Sequence, residues 1–427
     1  MTSLDTAPST RETYAAAAVA LTREEVMAAK RSRSRQRRRA LFLVLPVLVF
    51  LAFAFIAPIA SMLYRSAYDP AVGNAIPATH TALEAWDGEA VPDRDVQTVL
   101  AQDLRRLALA RESGRLAANV NKAYPGASST INGTARRLRR LTEEQVQETG
   151  ADVLMNANPR WADPALWRAI KRAGQTFTDS YYLTALDLER DADGNITHRS
   201  SARIYIDLYL KTLGLALSIT VLCVILGYPL AYYLANVPSK HANLLLVLVL
   251  LPFWTSLLVR TTAWIAILQT NGVMNSTLMG LGLTSEPIEV LYTATATIIA
   301  MTHILLPFMV LPLYSVMRGI DPSYMRAAMS LGAKPFGAFV RIYLPMTMPG
   351  LSAGALLVFI ISVGYYITPA LVGGTDGQMI SNIIAFHMQQ SNNWNLAAAL
   401  GSLLLGLILI LYFVYDRLVG ASNIKLG

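Results

Sequence analysis

Six uninterrupted apolar runs decide what this chain can become. They fall at about 41–64, 206–235, 243–268, 290–316, 346–371 and 396–416. About 20 residues of helix cross the hydrocarbon core of a bilayer, and a water-soluble chain has no use for so many runs of that length. Lipid offers the backbone no water, so each run must satisfy its own N–H and C=O groups as a helix. The expected fold is therefore all-α, with six transmembrane helices. Composition agrees: of 427 residues 54% are hydrophobic, and the mean hydropathy is +0.40. The single cysteine, Cys223, lies inside an apolar run. That leaves no disulfide framework and no cysteine metal site, only a small buried or lipid-facing residue.

Charge orients the helices. Residues 1–40 carry nine Lys/Arg against four Asp/Glu, and seven of those bases fall within 30–39. Bases that flank a membrane helix stay in the cytoplasm, and they also favour anionic lipid. The 1–40 stretch is thus expected to be a basic cytoplasmic segment on membrane lipid rather than a nucleic-acid arm, and no nucleic-acid partner is expected. The run that follows is longer than the apolar part of a signal peptide and has some 40 residues before it, so 41–65 reads as an uncleaved first helix. Loops 236–242 and 317–345 hold Lys240, Arg318, Arg326, Lys334 and Arg341, whereas 269–289 and 372–395 hold no Lys or Arg. The bias predicts that the first pair is cytoplasmic and the second external, with both termini inside and 419–427 a cytoplasmic tail. Tyr64, Tyr68, Trp254, Trp394, Tyr412 and Tyr415 stand near helix ends, where they either anchor at the interface or pack between helices.

Between the first two runs lies a polar stretch, 66–205, whose residues 66–203 carry 17 bases and 18 acids. Long loops cross regardless of charge, so it is expected outside, as a mainly helical insertion large enough for a small domain. Helical patches are expected around 95–122, 134–148 and 164–173, with a flexible break at 126–133. Residues 186–206 read as a hairpin turning at Asp193 and Gly194. The same turn holds Glu189-Arg-Asp191-Ala-Asp193-Gly194, a partial calcium-loop pattern. It starts with Glu and has Ser200 where the bidentate Glu belongs, so it reads as an ordinary Asp-Gly turn.

The most ordered loop is 317–345. Asp321 and Pro322 open it as a helix N-terminus, Asp as cap and Pro at the first helical position. Met325, Ala328 and Met329 fall on one face at helical spacing. Gly332 is placed to end the helix, and Pro345 marks the beginning of the next membrane helix. The full string is Arg326-Ala-Ala-Met-Ser-Leu-Gly332, then nine residues, then Ile342-Tyr-Leu-Pro345. In its spacing it resembles the EAA loop of binding-protein-dependent ABC importers, with Arg326 standing at the Glu position. Pro252-Phe-Trp-Thr-Ser-Leu-Leu-Val-Arg260-Thr, Gln269-Thr-Asn-Gly272, Leu306-Pro307-Phe-Met-Val-Leu-Pro312-Leu-Tyr, Gly373-Gly374 and Asn393-Trp394 look like the permeases of the spermidine/putrescine importer family. The likeness covers about 41–66 and 205–418 and leaves the insertion unmatched.

That resemblance implies the type I ABC importer permease fold, with 206–418 as a five-helix permease core, in a bacterial inner membrane. Implied partners are a second homologous permease, two ATPase subunits and a periplasmic substrate-binding protein. ATP-Mg would sit on the ATPase subunits and no cofactor on this chain. The coupling residues it implies are Asp321, Met325, Arg326, Ala327, Ala328, Met329, Gly332, Ile342, Leu344 and Pro345. In that scheme the small residues allow close approach, the methionines fill a groove on the ATPase, and Arg326 meets an acid there. A polyamine or other small organic solute is the implied cargo, although no acid lies deep within a run; Asp207 and Asp416 are near span ends, and Glu286, Glu289 and Asp376 are in loops.

The residues themselves argue against an enzyme. No phosphate-binding loop occurs: Gly332 and Gly337 have its separation, but Ala338 and Phe339 replace Lys and Ser/Thr. His80, His198, His241, His303 and His387 are scattered without a zinc pattern. Unlike Asp207 and Asp416, which lie near span ends, Arg260 is set in the outer half of the third run, beside Thr255, Ser256, Thr261 and Thr262. It either serves the solute pathway or snorkels outward to hold its own helix. Trp254, Thr255, Gln269, Asn271, His303, Tyr365 and Tyr366 are further pathway candidates, or ordinary interhelical hydrogen-bonding groups. Pro252, Pro307 and Pro312 interrupt helical bonding, either to open a cavity or to adjust packing. Two other functions stay open. One is a membrane-anchored sensor or assembly protein acting through its insertion. The other is an ion-coupled carrier, disfavoured by the lack of embedded acids.

Overall fold

The computed structural model describes residues 42–191, 194–199 and 203–419. The basic segment 1–40, Asp193 and Ser200 of the hairpin, and nearly all of the 419–427 tail lie outside them. The chain divides into two units, Met1–Ser61 and Met62–Gly427. In the first, residues 42–61 form an apolar helix with no buried side chain.

Five helices are long and apolar enough to cross a membrane: Phe42–Ala67, Tyr205–Asn236, Ala294–Arg318, Pro335–Gly364 and Trp394–Arg417. These are the first, second, fourth, fifth and sixth spans. The third is a broken pair, Ser239–Trp254 and Leu257–Gly280, bent by 97°. The break follows from local chemistry. Pro252 has no N–H to continue the ladder, Thr255 is extended, and the Ser256 hydroxyl accepts the Val259 N–H at 3.2 Å to start a new helix. The expected single run at 243–268 is thus two helices.

The fourth span is the centre of the membrane core. Its Met301, Leu305, Met309, Val310 and Leu313 are buried against Ile219, Cys223 and Ala231 of the second span and Val358 of the fifth. Small residues set the approach. A Cβ on Gly227 would lie 2.8 Å from Met309, and one on Gly350 2.9 Å from the Pro312 carbonyl oxygen. Gly350 and Gly354 form a Gly-x-x-x-Gly pair facing the fourth span, as helices packed in lipid require. The fourth span continues through both Pro307 and Pro312.

The described residues between 67 and 204 form a mainly helical insertion with its own core. Leu100, Leu104, Leu116, Ile131, Leu138, Leu154, Trp161 and Trp167 are all fully buried there. Two departures from expectation have local causes. The 95–122 helix is two helices, Arg94–Ala110 and Ser113–Ala123, split at Arg111 with φ of +63°. The flexible break at 126–133 is instead the helix Ala127–Leu138. The turn comes earlier, at Gly126, where the Asn121 side chain accepts the N–H groups of both Gly126 and Ser128. The hairpin is present as antiparallel Leu188–Arg190 and Ile196–His198.

Buried polar groups join the insertion to the outer spans. The Tyr182 hydroxyl bonds Ser66 at 2.6 Å and receives the Ser402 hydroxyl at 3.1 Å. Asp187, 2% exposed, accepts the N–H groups of Ile204 and Ile206 and so caps the second span from outside its own sequence.

Candidate functional site

The 317–345 loop is built as a helix, a glycine turn and a second helix. Asp321 accepts the Ser323 N–H at 2.8 Å, and the helix Ser323–Ser330 follows. Those bonds from Ser323, and then the charge of Arg326, hold the Asp321 carboxyl below its ordinary range. Gly332 ends the helix with φ of +88°, and the Ala333 N–H returns to the Ala328 carbonyl at 3.1 Å. Past Pro335 the chain is already the fifth span, which begins ten residues before the Pro345 that was expected to open it. Pro345 cannot donate and crowds the carbonyl four residues back, and the turn at Phe339–Tyr343 widens to accommodate it.

The helix does not present one uniform face. Met325 is half-buried and Ala328 buried, both turned inward; Met329 is exposed with Arg326 and Ala327. Ile342 and Leu344 are half-buried, and Pro345 is exposed. The most outward apolar groups are Leu331 and Phe336, at 89% and 79% exposure. The motif spacing did not single them out. Their only signal was an apolar residue on either side of a Gly-Ala-Lys-Pro turn.

A second cluster gathers around Arg260 at the far side of the third-span break. Arg260 stands within electrostatic reach of His303 of the fourth span and of Tyr365 just past the fifth. Trp264, one turn along from Arg260, donates its indole N–H to His303 Nδ1 at 3.3 Å. Thr261 and Thr368 hydroxyls meet at 3.3 Å. The Arg260 Nε is buried with no hydrogen-bond partner among the described residues. Tyr365 and Tyr366 form a second break, their carbonyls taken by Ser381 and Asn382 at 2.7 Å each. Non-helical backbone at membrane depth persists only where such partners or a cavity satisfy it. Trp254 and Thr255 are exposed at the first break. Gln269 and Asn271 are exposed elsewhere: nine residues of helix from Arg260 to Gln269 is roughly 13 Å. Trp264, Thr368, Ser381 and Asn382 were not anticipated. Only Trp264 had a signal, its spacing of four from Arg260.

Residues 201–422 match the family of binding-protein-dependent transport system inner membrane components. The chain belongs to this family. It is similar to the spermidine/putrescine transport system permease protein PotB of Escherichia coli K12, 39% identical over 219 residues, 51% of this chain and 80% of that one. It is also similar to the inner membrane ABC transporter permease protein YdcU of the same organism, 34% identical over 235 residues, 51% and 72% of the two chains. A bacterial alginate ABC transporter in complex with an alginate pentasaccharide-bound periplasmic protein aligns at a TM-score of 0.44 and 20% identity, covering 53% of this chain and 82% of that one. As a member, the chain is a multi-pass inner-membrane component of an importer. The ordered loop and the Arg260 cluster both lie inside the matched residues, and the insertion core lies outside them.

Proposed function

We propose that this chain is one permease subunit of an ATP-driven importer and that loop 317–345 docks on an ATPase subunit. The observation that carries the reading is the loop itself: a short helix, a left-handed glycine and a second helix, placed between two spans, with Leu331 and Phe336 almost wholly exposed. Apolar side chains held outward on a loop between membrane helices need a partner surface. The chain works with a second permease, two ATPase subunits that bind ATP-Mg, and an external binding protein. Its loop and both termini are cytoplasmic, and its insertion faces the other way. Arg326 pairs with an acid on the ATPase.

The cargo follows the PotB likeness, a small organic polycation. This subunit offers it aromatic faces at Trp254, Trp264, Tyr365 and Tyr366 rather than carboxylates. Acids come from the binding protein and the partner permease. The test is to purify the tagged chain in mild detergent and assay what accompanies it. An ATPase subunit should co-purify, and Gly332→Val should abolish coupled hydrolysis because a β-branched residue resists a φ of +88°. A chain that purifies alone and inert in several detergents overturns the proposal. Arg326→Glu should weaken assembly, and unchanged coupling would remove the acid partner from the scheme.

A further inference from the structure

We propose that the load taken up by the docking loop is delivered to the second span, through a clamp of four aromatic rings. The inference rests on the coupling role proposed for the loop.

The rings come from two elements. Tyr228 and Tyr232 are one turn apart near the end of the second span, and Phe339 and Tyr343 are one turn apart in the widened turn near the start of the fifth. Phe339 stacks on Tyr343 with centroids 5.7 Å apart. It meets Tyr232 edge-on at 5.8 Å and Tyr228 edge-on at 6.2 Å. Tyr232 meets Tyr343 edge-on at 5.3 Å. Phe339 thus touches all three of the others, and its contacts with the two second-span tyrosines are edge-on, the arrangement in which positive edges meet negative faces. The Tyr228 hydroxyl extends the contact to Thr347 Oγ1 at 3.0 Å. A second grip comes from Arg318 at the end of the fourth span. Its guanidinium donates to the Ala235 carbonyl at 3.0 Å and to the Ser239 hydroxyl at 2.9 Å, closing the last turn of the second span.

The geometry gives the clamp a direction. Residues Ser323–Ser330 turn Met325 and Ala328 inward onto the core, so the short helix is seated on the same base as the rings. Pro229 lies between the two second-span tyrosines and removes one rung of that helix's hydrogen-bond ladder. The gripped segment is also seated on the fourth span, since Ala231 and Leu234 are fully buried in the same core as Met309. Arg318 holds the Ala235 carbonyl, so the end of the second span moves as one piece with that base. Push on the loop, and the end of the second span moves with it. Tyr232, Phe339, Tyr343 and Arg318 are positioning residues in this scheme, because none of them meets nucleotide or solute.

The test uses the assembled importer in lipid nanodiscs, with Cys223→Ser as background and spin labels at exposed Tyr233 on the second span and Phe413 on the sixth. The readouts are ATP hydrolysis and the ATP-driven change in label distance. Phe339→Ala should leave hydrolysis unchanged and lose the distance change, and Phe339→Tyr should restore it. A full distance change in Phe339→Ala overturns the clamp. To guard against a misfolded variant, Tyr232→Cys is combined with Phe339→Cys in the same background and oxidised. A rigid clamp tolerates the disulfide with the distance change intact, whereas its abolition shows that the two elements must slide and again overturns the proposal. Importers that hydrolyse ATP and respond to Gly332→Val but ignore Phe339→Ala refute only the clamp. Importers that ignore Gly332→Val refute the docking loop beneath it.

Discussion

The insertion and the membrane core are both helical and both bury large apolar groups, yet they make their closest contacts differently. In the insertion the interior holds the bulk: Trp161, Trp167, Ile76, Leu100, Leu104 and Leu166 are all fully buried. In the membrane core Leu305, Met309 and Leu313 are buried too, but the closest approaches are at Gly227, Gly350 and Gly354, while Leu217, Ile225, Leu258, Leu409 and Phe413 face outward. Water drives large apolar groups together, so the insertion is organised around them. Lipid gives Leu as good a home as a protein interior does, so the spans gain by close backbone approach instead. One chain thus obeys two solvents, and the boundary is drawn by how closely the backbones approach and by what each region leaves outside.

The comparison is broken most severely by removing bulk from the insertion. Trp161→Ala should cost about 3–5 kcal/mol by cavity formation, with the Thr134 hydroxyl also losing the indole N–H it now accepts at 2.9 Å. Limited proteolysis of the full chain in membranes should then cut within 94–173 and leave the spans intact; resistance equal to the parent would mean that the insertion is not held by this core. The converse change adds bulk to the membrane core. A Cβ on Gly354 would sit 2.9 Å from the Met309 sulfur. Gly354→Leu should therefore destabilise by about 1–3 kcal/mol through overpacking. Leu409→Ala on the outward face should be nearly neutral. Equal losses of thermal stability in detergent for both variants would erase the distinction.

The same two solvents decide what was legible. Spans two, four and six could be read from apolar length alone, because lipid imposes length whatever the neighbours are. The third was only half legible: Pro252 marks an interruption, but a 97° bend also needs the Ser256 cap and the packing beyond it. The insertion was harder, because its helix ends depend on single side chains. Asn121 starts one helix and Arg111 ends another, where composition suggested a loop and a continuous helix. Loop 317–345 was legible as a helix ending at Gly332, but its most exposed apolar groups were not, since Leu331 and Phe336 belong to no motif position. The gathering of Arg260, Trp264, His303 and Tyr365 from three elements is a product of packing, and no periodicity announces it.

A smaller effect sharpens where one region ends and the other begins. Asp187 belongs to the insertion by sequence, yet it caps the second span. Asp187→Ala should cost about 0.5–2 kcal/mol, as loss of a helix cap does. Hydrogen exchange should speed at Ile204 and Ile206 and leave the Trp161 core unchanged. Faster exchange throughout the insertion would mean that the two regions unfold together.

The smallest effect asks whether loop 317–345, though set between two spans, follows the aqueous rules of the insertion. Asp321 is exposed, and its carboxyl is held below its ordinary value of 3.8 by the bonds from Ser323. A group depressed in the folded state contributes its stability fully above the unfolded pKa and loses it as pH falls through the folded one. The amide of Ser323 should therefore be protected above about pH 4 and exchange faster as the pH drops further, once exchange is corrected for its own pH dependence. Asp321→Asn should flatten that profile while keeping a cap of similar shape. The same profile in the Asn variant would show that the start of this helix is held by burial rather than by a hydrated charge, and the loop would then belong with the spans it joins.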